Sequence, residues 1–487
     1  MPDLLLADIG STFTKVCRVD AENSRLIATA SSPTTVSTDV MDGLERACRG
    51  VGADLEGSDH MRLLACSSAA GGLRIAAVGL VPSLTAKAAE MAALGAGAKV
   101  VGVFPFLLTH DDMSRLERLA PDLILLSGGT DGGDTEHIVA NARTLAGAFT
   151  HIPLVVAGNR AAHDRLSTIL RAWHGPVRMT ANVMPELGRL DLEPARTCIR
   201  ELFLERIVVA KGMGRVRMRA DLLLPTPDSV MRSLSALRAA WATTSGAVTV
   251  ATAPEEAVPP TAARALKSAT TPAEGDCLLV VDVGGATTDV YSYGWGRPAS
   301  PDIVYRGLPE PLEKRTVEAD LGVRYTLASL VEQMDSEAVA RDGGLTTAQL
   351  EQWVSTVTGD TARLPASPVE QAADTVLAQA ACHLAVTRHC GNLEEVWTPQ
   401  GRVLIQQGKD LTEAAVVAGT GGPAAHDTPP GAVPRAAVRR PGDAGLLPRN
   451  PRIVIDRGYI LWALGLLVAA DLPGCATALA ANHLVHA

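Results

Sequence analysis

Aromatic residues are scarce in this chain, 3% of 487 positions, and no surplus of basic charge accompanies them. Lys plus Arg number 44 against 53 Asp plus Glu, for a formal charge of −9. A protein that binds nucleic acid mainly by neutralising phosphates normally shows the opposite balance, so that class is disfavoured. Long hydrophobic runs are also missing. The strongest, Tyr459 to Ala470, is closed by Asp471 and Pro473, well short of the ~20 residues that a membrane span requires. The first residues, MPDLLLADIG, carry an acid where a secretory leader carries positive charge. The expectation is a soluble, cytoplasmic protein with no membrane and no nucleic-acid partner. Cysteine pairing is absent too. Cys17, Cys48, Cys66, Cys198, Cys277, Cys382, Cys390 and Cys475 are scattered without a CxxC spacing, which excludes a zinc ribbon and a disulfide framework. The local group Cys382, His383, His389 and Cys390 lacks the i, i+4 pairing of a helical metal site and reads as a buried helix.

What is present is length enough for a large core in two or more lobes, and an internal echo. Residues 8–16 read DIGSTFTKV and residues 282–290 read DVGGATTDV. An apolar run precedes each, LLLA before Asp8 and LLVV before Asp282, as expected of a buried strand. A β-favouring segment follows each, then a further short strand candidate, RLIATA in the first case and DIVYRG in the second. Strand, glycine turn, strand, strand is a meander, unlike the strand-to-helix unit of a Walker or Rossmann site.

Such turns suit phosphate. Gly10, Gly284 and Gly285 let successive backbone N–H groups converge on an anion with no Cβ in the way. Ser11, Thr12, Thr287 and Thr288 add hydroxyl donors, and Lys15 can reach a phosphate as a point charge. Asp8, Asp282 and Asp289 would repel a bare phosphate. Their presence is explained if Mg²⁺ and its waters lie between them and a nucleotide, with Asp8 and Asp282 holding the ion through water. A single such turn could be an ordinary capped hairpin; two copies in equivalent places favour a duplicated site.

The pair resembles the two phosphate loops of the actin, sugar kinase and Hsp70 ATPase superfamily, DVGGATTDV being especially similar to the Hsp70 form. That resemblance implies an α/β fold, a duplicated actin-like ATPase with two lobes and a nucleotide cleft between them. It also implies an adenosine motif late in the chain, which AAVVAGTGG at 414–422 fits through Gly419, Thr420, Gly421 and Gly422. EADLGVR at 318–324 occupies the place where Hsp70 relatives turn into the helix beside adenosine, and YILWALGLLVAA that of a returning amphipathic helix, although a plain core helix would give the same pattern.

Further stretches, SGGTDGGD at 127–134, PLVVAGN at 153–159, RHCG at 388–391, QGKDL at 407–411 and LLPRNPRIVIDRGYILWALGLL, make nearly the whole chain similar to the accessory proteins of adenosylcobalamin-dependent glutamate (methylaspartate) mutase. This family is labelled MutL and is unrelated to the mismatch-repair protein of that name. The resemblance implies ATP and Mg²⁺ as ligands, mutase subunits as partners, and slow ATP hydrolysis that assists or reactivates the mutase. Radical chemistry belongs to the cobalamin, and an actin-like clamp that closes and reopens could let a damaged cofactor exchange. The chain is not itself the mutase, because the cobalt-ligating DxHxxG signature is missing. A small-molecule kinase on the same fold, or a nucleotide-binding adaptor without turnover, remain alternatives.

The expected division is a first lobe over 1–275, ending in a Pro-, Ala- and Thr-rich linker from Ala251 to Gly275, and a second over 276–487 with a loop from Pro423 to Asn450. Asp131 and Asp134 are candidates to position the attacking water, against a tight connection or a partner-binding loop. Arg388 and His389 could contact nucleotide or partner, or cap a helix C-terminus. Arg315 and Arg324 bracket acids and read as surface pairs.

Overall fold

The computed structural model describes residues 3–10, 13–35, 38–55, 61–68, 73–207, 212–244, 277–399 and 401–486. The linker expected between Ala251 and Gly275 falls outside them, as do Ser11 and Thr12.

β1 (Leu4–Ile9) is buried along its whole length, as its unbroken apolar run demands of a central strand covered on both faces. β2 (Phe13–Asp20) and β3 (Arg25–Pro33) follow as an antiparallel meander, and β4 (Arg62–Ser67) lies parallel to β1 on its other side. The chain then departs. β5 (Arg74–Gly79), β6 (Lys99–Pro105), β7 (Leu123–Leu126), β8 (Leu154–Val156) and β9 (Val177–Met179) build a separate all-parallel sheet in the order β6-β5-β7-β8-β9. β10 (Leu222–Pro225) returns to the first sheet beside β4.

The second half begins with β11 (Leu278–Val283) and β12 (Thr288–Tyr293), antiparallel to one another. β13 (Ile303–Arg306), the DIVYRG strand expected to continue the meander, leaves it. The third meander strand is instead β14 (Glu313–Glu318), paired with β12. β13 joins a small sheet with β15 (Asn392–Thr398) and β16 (Gly401–Gln407). β17 (Val416–Thr420) lies parallel to β11, β18 (Arg452–Ile455) parallel to β17, and β19 (Val485–His486) antiparallel to β18.

The sheets β3-β2-β1-β4-β10 and β14-β12-β11-β17-β18 thus share strand order and strand directions. Each ends by feeding a helix, Thr226–Thr244 after β10 and Leu461–Ala469 after β18. The two helices pack on one another between the sheets, in a core holding Leu4 and Leu6 of β1, Leu278 and Val280 of β11, and Leu464 and Leu467. Ser229 Oγ donates to the Trp462 carbonyl at 2.7 Å across this crossing. The molecule is therefore a duplicated, two-lobed actin-like α/β fold.

Several expectations change. The first half is interrupted by the parallel sheet β5–β9, which shares one face with the first core and has its own core on the other. Leu461–Leu467 is buried on every side rather than amphipathic, the pattern of a helix enclosed in a core. The loop expected from Pro423 contains short helices at Gly422–Ala425 and Ala432–Arg435, pinned by Asp427 accepting from the backbone N–H groups of Gly431 and Val433. No helix among the described residues is long and apolar enough to cross a membrane.

Candidate functional site

The two echoed turns are built alike. Gly10 N–H donates to the Phe13 carbonyl at 3.1 Å, and Gly284 N–H donates to the Thr287 carbonyl at 2.9 Å. A Cβ on Gly10 would stand 2.7 Å from Phe13 O and one on Gly284 would stand 2.9 Å from Thr287 O. Glycine is thus needed at both places by close backbone approach. Asp8 and Asp282 each sit two residues earlier at the end of a central strand, opposite Lys15 and Asp289 respectively. The loop that follows β14 braces the second turn, where Arg324 and Tyr325 donate their N–H groups to the Gly285 carbonyl.

These carboxylates gather around one lysine. Asp8 is buried; its Oδ1 accepts from Thr226 Oγ1 at 2.7 Å and from Cys66 Sγ at 3.5 Å. Burial raises the Asp8 carboxyl above the usual range, with Lys15, Thr226 and Cys66 opposing. Burial, and after it the charge of Asp289, pushes Asp282 up to about 7, with Asp456 and Asp8 adding to the rise and Lys15 opposing. Burial also raises Asp456. Lys15 Nζ lies over the Tyr459 ring, 4.6 Å from its centroid. Buried negative charge held by a single ammonium is a donor set suited to a cation. Among the described residues no three His, Cys, Asp or Glu converge closely enough to hold a metal by themselves. Mg²⁺ usually takes only one or two carboxylates and fills its other positions with water and phosphate oxygens; Asp8 and Asp282 are the acids that could serve such an ion.

The proton held by Asp282 has a measurable consequence. Its folded carboxyl titrates near 7, whereas an unfolded aspartate titrates near 3.8. Between those values the folded chain binds more protons, so the contribution of Asp282 to stability is lost as pH rises through that window. Without nucleotide, Asp282→Asn should be more stable than the parent at about pH 8, by on the order of a few kcal/mol, and should lose that advantage towards about pH 4. Denaturant midpoints of both chains at the two pH values test this; equal midpoints at the higher pH would remove Asp282 from the buried acidic group.

The glycine motif after β17 has two parts. Gly419 packs against Pro434, whose Cγ lies 2.9 Å from where a Cβ would be, and Thr420 Oγ1 donates to Asp456 at 3.0 Å. Gly421 takes φ +87, and a Cβ there would stand 2.6 Å from Asp282 Oδ1. These residues bring β17 against the second turn. Gly422 is the exposed one, with the Tyr459 hydroxyl 3.8 Å from its notional Cβ and His426 tilted against the Tyr459 ring at 6.1 Å. Gly422 with Tyr459 therefore forms the exposed part of the motif, while Gly419 is packed against Pro434.

Other expected residues do different work. Thr288 is fully buried and donates its hydroxyl to the Leu321 carbonyl, holding the turn; Thr287 Oγ1 donates to Asp289. Asp131 and Asp134 sit in the turn after β7, in the inserted sheet. Asp131 accepts from the Arg160 N–H and Asn182 Nδ2, and Asp134 accepts from the His137 N–H. Their carboxylates hold N–H groups of this turn and of the segments beside it. Arg388 pairs with Glu318 and Asp320 in the last turn of the helix Pro368–His389, and buried His389 bridges Thr316 and Ser292. Arg315 and Arg324 are not surface pairs: Arg315 is buried against Asp289, and Arg324 forks onto Asp374. Sequence reasoning missed Thr226, Asp456 and Tyr459, which follow strands β10 and β18. Asp456 caps the helix Leu461–Ala469 through the N–H groups of Ile460 and Leu461. The parallel of β10 with β18, each an apolar run ending in a polar residue, is the signal that could have found them.

The family model described as MutL protein matches the chain over residues 4–252 and 242–484. Protein MutL of Clostridium tetanomorphum is 40% identical over 490 residues, covering 100% of both chains. Gluconate kinase from Lactobacillus acidophilus shares 10% identity over 100% of this chain and 93% of its own, at a TM-score of 0.33. Glycerol dehydratase reactivase shares 11% over 96% of this chain and 100% of its own, at a TM-score of 0.30. The fold is carried by strand order, not by overlaps at this level.

Proposed function

The chain belongs to the MutL protein family, and from that premise we propose that it binds and slowly hydrolyses ATP as a reactivating chaperone for an adenosylcobalamin-dependent glutamate (methylaspartate) mutase. The observation that carries the nucleotide part is the matching backbone closure after Asp8 and Asp282, Gly10 onto Phe13 and Gly284 onto Thr287, with both acids in the field of one lysine. Lys15 would offer a point charge to phosphate, and Asp8 with Asp282 would hold Mg²⁺ through its waters. Gly422 and Tyr459 leave a face for the base. The helices Thr226–Thr244 and Leu461–Ala469 start within a few residues of Thr226 and Asp456. A change in what the acids hold would therefore act at the joint between the lobes, which suits a protein that grips and releases a partner.

A restart assay tests the whole reading. Holoenzyme mutase inactivated by turnover is supplied with fresh adenosylcobalamin and MgATP, with and without this chain. Recovery of activity that depends on both the chain and ATP is expected, together with ATP hydrolysis stimulated by the mutase. No recovery would overturn the reactivating role. Phosphate transfer to a sugar or acid would replace it with a kinase, and tight binding without hydrolysis with an adaptor.

A further inference from the structure

β14 reads Glu-Lys-Arg-Thr-Val-Glu, the composition of a surface strand, yet its Arg315 is only 6% exposed. Nε and Nη2 of Arg315 donate to Asp289 Oδ1 at 3.0 and 2.6 Å. Nη1 donates in the other direction, to the carbonyls of Leu94 and Ala98 at 3.2 and 3.0 Å. One planar cation thus spans from the start of β12, just past the second glycine turn, to the end of the helix Thr85–Gly95, which packs on the inserted sheet. That helix has no basic residue in its own last turn, although its final carbonyls carry partial negative charge that a cation would stabilise. The corner is enclosed from the first half as well. Gly95 stands directly against the guanidinium of Arg196, and Gly97, at φ +88, faces Pro225 with 3.0 Å left for a Cβ. Residues 94–98 are therefore where the inserted sheet, the first lobe and the second lobe meet.

We propose that Arg315 is a positioning residue that transmits the state of the nucleotide cleft, sensed at Asp289, to the inserted sheet through the corner 94–98. The proposal rests on the nucleotide reading of the cleft. A guanidinium is a rigid fork, so its two edges cannot be reoriented separately. If Asp289 changes what it holds, the edge on Asp289 shifts and the edge on Leu94 and Ala98 shifts with it. An ammonium in the same place is a single point charge and can serve the carboxylate or the carbonyls, but not both in fixed geometry.

Hydrogen exchange of the full chain, read by mass spectrometry with and without saturating MgADP, tests the link. Saturation is set by calorimetry for each variant at its own affinity. In the parent chain, exchange over residues 94–99 should change several-fold on saturation. In Arg315→Lys that change should disappear although nucleotide still binds. Asp289→Asn breaks the same link from its other end and should give the same loss, which keeps the test open should Arg315→Lys fail to fold. A parent-like change in saturated Arg315→Lys or Asp289→Asn, or a parent that binds MgADP without any change at 94–99, overturns the coupling. A parent that binds no nucleotide in calorimetry overturns the cleft reading itself, and the coupling with it.

Discussion

Asp8→Asn should lower MgATP turnover by about two to three orders of magnitude, the scale on which removing one preorganised electrostatic group is felt, while the chain stays folded. Asparagine matches aspartate in size and keeps an oxygen for the Thr226 hydroxyl, which donates to Asp8 Oδ1 at 2.7 Å, so β1 should keep its register between β2 and β4. What disappears is the negative charge at the end of β1. Lys15, the cross-strand neighbour of Asp8, would then be drawn towards Asp282 and Asp456, whose electrostatic fields it already shares, and Mg²⁺ would lose one of its two anchoring acids. Steady-state hydrolysis with excess Mg²⁺, alongside circular dichroism, separates the two effects. Turnover within about threefold of the parent would remove the β1 turn from the site.

Gly465→Leu should destabilise the core strongly, by about 3 kcal/mol or more. Gly465 lies where the helices Thr226–Thr244 and Leu461–Ala469 cross, and any Cβ there would overlap the Ser229 carbonyl. Neither helix can give way cheaply. Ser229 is hydrogen-bonded to Trp462, and Leu464 and Leu467 on either side are fully buried. Overpacking a close crossing forces backbone movement, and this crossing joins both lobes. Denaturant unfolding should show an earlier midpoint for Gly465→Leu, and Ser229→Ala, which removes only the hydroxyl, should cost about 1 kcal/mol. A Gly465→Leu chain as stable as the parent would mean that the helices do not cross here.

The two glycine turns were legible in the sequence for a local reason. At Gly10 and Gly284 the carbonyl three residues on stands too close for a Cβ, so glycine marks both turns in the sequence, and the aspartates two places earlier follow in register. The inserted sheet was not legible. β5, β7 and β8 are short apolar runs buried on both faces, and such strands carry no polar side to reveal which sheet they join. The expectation for DIVYRG failed for a related reason, with EKRTVE taking its place. Both have β character, and only long-range pairing made the charged strand the third of the meander and sent the other elsewhere.

By itself, the sequence determined the duplication, the acidic turns with Lys15, and the family resemblance, because these are written in residues close together along the chain. Tertiary structure alone decided which acids share a site and which only tie a loop. Asp456 and Thr226 reach the cleft through parallel strands that pair across long connections, whereas Asp131 and Asp134 spend their charge on nearby backbone. It also made Arg315 an interior bridge, since a charged side chain enters a core only where partners from separate segments meet it, and no local pattern records that meeting.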